Sequence, residues 1–170
     1  RPETRDRVEL AMRELLYADW DALDALCSGL DEHQWATPTC LPGWTVKDVL
    51  AHIAGIERMI EGDPAPTIDV SHLGHIRNDF AAAVEVWVED QRHLSGEAVL
   101  DGFRDVVARR RAALAAMTQA DFDAPSWTPV GRDETYGRFM RIRHFDIYLH
   151  ELDIRDALGI ADRADMAAMA

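Results

Sequence analysis

Apolar residues recur at intervals of three and four along nearly the whole chain, and nowhere do they alternate with period two for long enough to predict a strand. The first segment, residues 4–28, carries Val8, Met12, Leu15, Leu16, Leu23 and Leu26 at helical spacing, with Gly29 following as a C-cap. Pro38, Pro42 and Gly43 interrupt the pattern, so residues 31–44 predict a loop. Thr45 then stands as an N-cap, with Asp48 three residues on as its capping-box partner. A helix should run from Val46 to about Glu61 and end at Gly62-Asp63-Pro64.

A Pro-rich connection over residues 62–70 leads to helices predicted over 72–94 and 97–119, parted by Ser95-Gly96. Residues 120–134 hold Pro125, Pro129 and Gly131 and predict a second loop. The last helix spans about 135–158 and stops at Gly159. Amphipathic helices of this length with short connections must bury their apolar stripes on one another. The expectation is one all-α domain over residues 1–160, with 161–170 as a tail. It is a four-helix bundle in which the stretch 62–96 is a long crossover carrying an extra helix. A chain of 170 residues is long enough to bury a core of this kind.

Charge narrows the choice of partners. There are 31 Asp and Glu against 18 Lys and Arg, a net charge of −13. Such a surface repels phosphates and anionic lipid, so neither nucleic acid nor membrane is expected as a partner. No apolar run approaches the ~20 residues of a membrane span, and the N-terminal run Arg1 to Arg7 has no signal-like apolar region. Cys27 and Cys40 form no Cys-x-x-Cys and no disulfide framework; they predict buried or semi-buried free thiols in a reducing cytoplasm. Lys47 is the single lysine, and with abundant alanine and aspartate this suits a GC-rich bacterial genome. The expected partner is a small molecule, and the expected assembly a monomer or homodimer.

The last predicted helix contains Asp146 and His150, four residues apart and therefore stacked on one face. A carboxylate and an imidazole so placed offer two metal ligands on one rigid element. His52, on the stripe shared by Val49 and Ile56, faces the bundle interior and supplies a third donor from another helix. Two imidazoles and a carboxylate with an open fourth position suit catalytic zinc, and equally the facial triad of non-haem iron. The competing reading is a satisfied core histidine beside a surface Asp–His pair. Arg143 and Asp153 continue the same face and are candidates to support the ligands or contact a substrate. His144 lies about 200° from Asp146 around the helix, which excludes it.

Other features carry plainer expectations. His72 and His75 predict a solvated loop. Trp44 predicts a staple-like core anchor beside the helix cap. Trp20, Trp87 and Trp127 predict core or loop packing. Arg109-Arg110-Arg111 predicts a solvated helix face. The chain has no phosphate-binding Gly-rich loop, no Gly-x-Ser-x-Gly elbow and no His-Glu-x-x-His.

The run Leu41-Pro42-Gly43-Trp44-Thr45-Val46-Lys47-Asp48-Val49-Leu50-Ala51-His52 resembles the second-helix signature of the mycothiol-dependent maleylpyruvate isomerase N-terminal family. That family belongs to the wider DinB-like metal-binding bundles. Arg143-x-x-Asp146-x-x-x-His150-x-x-Asp153, followed by Ala157-Leu158-Gly159, resembles its Arg-x-x-Glu-x-x-x-His-x-x-Asp pattern. The resemblance covers residues 5–160 and implies a DinB-like four-helix bundle with His52, Asp146 and His150 as ligands of a divalent metal. Zinc is expected first, with nickel and iron as the alternatives. It further implies mycothiol as a thiol co-substrate, used for S-transfer or isomerisation of a small electrophile. Two departures bear on this. Asp146 stands where the family commonly has Glu, and is one methylene shorter. The isomerase also has a second, C-terminal domain, whereas this chain ends about ten residues past the last predicted helix, so transfer is expected over the named isomerisation. The rival expectation is a non-catalytic metal- or ligand-binding bundle, such as a sensor or stress-response module.

Overall fold

The structure, a computed structural model, describes residues 2–163, with side chains from residue 11 onward. Four long helices form the bundle: α1 (Pro2–Cys27), α3 (Val46–Ile60), α5 (Gly96–Ala116) and α7 (Tyr136–Leu158). α1 packs on α5 and α7, and α3 packs on α5 and α7, which closes the ring. The crossover between α3 and α5 carries the extra helix α4 (Asp79–Gln91), which lies against α3. This is the DinB-like bundle with a helix-bearing crossover. The expected tail from residue 164 onward and the side chain of Val8 lie outside the described residues.

Local sequence explains the helix ends. Thr45 and Asp48 make a full capping box at the start of α3, with the Asp48 carboxylate accepting from the Thr45 backbone N–H at 2.9 Å. Thr135 caps α7 by accepting from the Arg138 N–H at 3.1 Å. Gly159 ends α7 in the left-handed conformation, φ 66°, where a side chain would be strained. Inside, Leu16 and Leu23 on α1 and Met140, Ile147 and Ile154 on α7 are fully buried at seven-residue intervals. That spacing keeps one stripe turned toward the neighbouring helices.

Three stretches differ from the sequence reading. The 31–44 segment holds a short helix, α2 (Glu32–Trp35), capped by Asp31. The helix expected from residue 72 begins at Asp79, because Asn78 caps it and accepts from the Ala81 N–H at 2.8 Å. The expected loop 120–134 contains α6 (Gln119–Asp123) and a hairpin, β1 (Pro125–Thr128) with β2 (Gly131–Thr135). The strands are antiparallel with Pro125 opposite Thr135 and Thr128 opposite Gly131, and a bulge falls between Ser126 and Thr128. Four- and five-residue strands are too short for an alternating signal. The hairpin packs on α7 and so carries Trp127 to the rim of the site described next. Among the described residues no helix is long and apolar enough to cross a membrane.

Candidate metal centre

α3 and α7 lie side by side, and their facing surfaces bring His52, Asp146 and His150 together. One donor atom from each lies within 4.8 Å of the other two. His150 Nε2 is 3.3 Å from Asp146 Oδ1, and His52 Nε2 is 3.6 Å from Asp146 Oδ2, longer than a normal hydrogen bond. The two imidazole rings meet edge to face with centroids 4.8 Å apart. His52 is buried and its Nδ1 has no hydrogen-bond partner. Two nitrogens and one oxygen, so closely spaced, suit a divalent cation of the zinc type.

Electrostatics act differently on the three donors. Burial pushes the His52 pKa down against the pull of Asp146, so the ring stays neutral with a free lone pair. Burial alone would raise Asp146. The contacts from His150 and His52 and the charge of Arg143 overcome it, and the carboxyl is held well below the usual carboxylate range. For His150, burial is likewise outweighed, here by Asp146 and Asp153, and its pKa is raised. Asp153 Oδ2 lies 3.1 Å from His150 Nδ1, which turns Nε2 toward Asp146. The other Asp153 oxygen accepts from the Cys40 thiol at 3.3 Å, and that bond raises the thiol pKa.

Arg143 is buried on the same face of α7. It donates to Asp146 Oδ2 at 2.7 Å and, through Nε and Nη2, to Glu57 Oε1 at 3.0 and 2.8 Å. Glu57, fully buried on α3, also accepts from Arg110 Nε at 2.9 Å. Arg110 reaches on to Glu61 at 3.1 Å and to the Tyr136 hydroxyl at 2.9 Å. A continuous line of ion pairs, buried at Arg143, Glu57 and Arg110, thus runs from Asp146 through the core to α5. It corrects the solvated-face expectation for Arg110, which is 1% exposed; its neighbours Arg109 and Arg111 do reach the surface, pairing with Asp63 and Asp21. The sequence did hold a signal. Glu57 falls four residues after the buried Ile53, and Arg110 seven after the buried Phe103.

Trp44 is more than a core anchor. Its ring centroid lies 4.9 Å from that of His52 and 6.3 Å from that of His150, so the indole walls the cluster. Its Nε1 donates to the buried Glu85 at 3.0 Å, which fixes its plane. His72 is exposed as expected, whereas His75 is half-buried with Nε2 3.3 Å from Glu85. His144 points away from the cluster, to Asp19 on α1 at 2.6 Å. Cys27 is buried; Cys40 is exposed, against the semi-buried expectation. Trp20 and Trp87 sit in the core, but Trp127 is 40% exposed.

A pocket of about 230 Å³ opens beside the cluster, and His52, Arg143 and Asp146 form part of its wall. The rest is apolar: Ile56 and Met59 from α3, Phe80 from α4, Trp127 and Pro129 from the hairpin, and Phe139, Ile142, Phe145 and Leu149 from α7.

A DinB-like helical bundle is the class that this fold defines. The structure of the mycothiol-dependent maleylpyruvate isomerase matches it with a TM-score of 0.65 and 17% identity, over 86% of this chain and 60% of that one. The sibling lethal factor precursor DfsB matches with a TM-score of 0.66 and 16% identity, over 89% of this chain and 95% of that one. The colibactin self-resistance protein ClbS, solved in complex with a dsDNA, matches with a TM-score of 0.65 and 12% identity, over 91% and 97%. The chain belongs to the mycothiol maleylpyruvate isomerase N-terminal domain family, whose model matches residues 16–155. It is also 27% identical over 149 residues to the uncharacterized protein Rv0036c of Mycobacterium tuberculosis. That match takes in 85% of this chain, which spans 55% of the length of the mycobacterial protein.

Proposed function

We propose that His52, Asp146 and His150 hold a divalent cation, and that the chain uses it to activate a low-molecular-weight thiol, mycothiol, against a small electrophile. The outcome is S-transfer, or isomerisation where the adduct collapses back. One observation carries this reading: the three donors converge, and two of them, His52 and Asp146, form part of the wall of a pocket, so a ligand entering the pocket comes up against the cluster. A divalent cation held there supplies a Lewis acid, which ionises a thiol that is otherwise only a few per cent thiolate at neutral pH. Zinc suits the donor set, with nickel and iron as alternatives.

The chain's own residues do the remaining work. Arg143, anchored by Glu57, holds the Asp146 carboxylate in place. Asp153 orients the His150 ring. Trp44 covers one side of the two histidines, and apolar side chains line the pocket beside His52 and Asp146. Family membership supports mycothiol as the thiol. The DNA in the ClbS structure belongs to that protein; here a net charge of −13 opposes a polyanion and supports a small-molecule substrate. Residues 1–160 form the working unit, as a monomer or homodimer in the cytoplasm.

Cobalt substitution tests the thiol reading. Titrating the cobalt protein with mycothiol should produce an intense near-ultraviolet charge-transfer band from sulfur coordination. A spectrum unchanged at millimolar thiol, across several thiols, would remove the thiol reading in favour of chemistry on water or a non-catalytic binding role.

A further inference from the structure

The pocket beside the triad is built for something other than a dicarboxylate. Nine of its twelve lining residues are apolar. Trp127 lies tilted against Phe80 with ring centroids 5.7 Å apart and meets Phe139 edge to face at 5.9 Å, so the outer wall is a continuous aromatic surface. Phe80, Phe145 and Leu149 stay 44%, 61% and 40% exposed, which leaves large apolar side chains in water at the mouth.

Charge points the same way. Apart from the ligand His52, Arg143 is the only basic residue in the lining, and its guanidinium already faces Glu57 and Asp146. Following the chain inward, two arginines, Arg110 and Arg143, meet three carboxylates, Glu57, Glu61 and Asp146. A divalent cation together with a thiolate brings this group to neutrality and leaves no positive charge for a substrate carboxylate. An anion entering the pocket would lose its water without gaining a cation, the costly way to bury a charge. A net charge of −13 on the chain repels it further.

We infer that this pocket takes an uncharged, apolar electrophile, with an activated double bond at the triad and a hydrocarbon or aromatic arm against Trp127 and Phe139, and that it discriminates against dicarboxylates such as maleylpyruvate. The inference rests on the thiol reading above. In the step concerned, the thiol sulfur forms a bond to one carbon of the activated C=C. The π pair passes to the neighbouring carbon, which receives the proton the thiol gave up. The product is a thioether, and no oxidant or reductant is needed.

Diethyl maleate and maleate make the test, since they share a carbon skeleton and differ in charge. With the zinc protein and mycothiol, each rate is divided by the rate of the same thiol without protein. The diester should show an enhancement at least about tenfold above that of the dianion, in line with a pocket that rejects a mismatched group. Binding is read separately on the metal-free protein, where the same group of two arginines and three carboxylates carries net −1: diethyl maleate should perturb tryptophan fluorescence saturably and maleate should not. Phe80→Asp, at an exposed position distant from the ligands in sequence, should weaken diester binding by about tenfold while leaving the cobalt–thiol band unchanged. Equal or better binding and turnover of maleate, or no saturable binding of the diester, would overturn the inference. A missing cobalt–thiol band with diester-selective binding intact would instead overturn the thiol reading and leave the pocket assignment standing.

Discussion

Arg143 Nη1 donates to Asp146 Oδ2 at 2.7 Å from one turn earlier on α7. The same guanidinium is bonded twice to the buried Glu57 on α3, so the Asp146 carboxylate is oriented from across the bundle as well as along its own helix. A carboxylate held this way keeps its position whether or not a cation is bound, which is the arrangement a preformed metal site requires.

Glu57 should therefore matter to both stability and metal affinity. Glu57→Ala leaves Arg110 and Arg143 buried without their shared partner, and the expected loss is about 3–5 kcal/mol in urea unfolding. Glu57→Gln, which keeps the shape, should lose less stability and still weaken metal binding, because Arg143 is no longer anchored by a charge. A loss below about 1 kcal/mol for Glu57→Ala would show that the buried network contributes no more than surface pairs do.

Two glycines should respond to alanine with opposite signs. A Cβ at Gly55 on α3 would fall inside the contact distance of Trp87 Cβ on α4. Gly55→Ala should cost about 1–3 kcal/mol despite the better helix propensity of alanine. At Gly102 on α5 the nearest atom is the end of the Arg58 side chain, 2.6 Å away, which is free to swing aside. Gly102→Ala should leave stability unchanged or raise it by up to about 1 kcal/mol. Stabilisation by Gly55→Ala would contradict the close α3–α4 packing.

Much of this was readable from spacing. The capping box at Thr45 and Asp48, the pairing of Asp146 with His150 four residues on, and the stop at Gly159 are local patterns whose physics acts within one or two helical turns. The divergence of His144 from the site followed from helix geometry alone. What escaped depended on partners distant in sequence. Arg110 sits in a run of three arginines, and only a carboxylate 53 residues away turns it inward. The hairpin at Pro125–Thr135 is too short to show its period, and the α4 start was set by Asn78, a cap the helical periodicity overran. Trp44 looked like packing because nothing in sequence shows that Glu85 fixes its indole over the two histidines.

The two cysteines should behave differently as pH rises. Burial pushes the Cys27 thiol up to about 12, while Cys40 is exposed. Well below pH 9 the Cys27 thiol is neutral in both folded and unfolded chains and does not bias the equilibrium. Above it the unfolded thiol ionises and the folded one does not, so stability falls as pH rises from about 9 toward 12, by up to about 1.4 kcal/mol per pH unit. The difference in unfolding free energy between wild type and Cys27→Ala should change over that window and stay flat from pH 6 to 8. At pH 8 a thiol reagent should modify Cys40 alone; labelling of Cys27 in the folded protein would contradict its burial.

The central claim is the three-residue metal site, and metal stoichiometry of purified protein tests it most directly. Zinc titration of the wild type, followed by desalting and elemental analysis, should give one ion per chain. His52→Ala and His150→Ala should each abolish stoichiometric binding, because two remaining donors hold a divalent ion poorly. Asp146→Ala should weaken it strongly, and His144→Ala, whose ring is paired with Asp19, should keep it. Full zinc occupancy in His150→Ala would contradict the assignment.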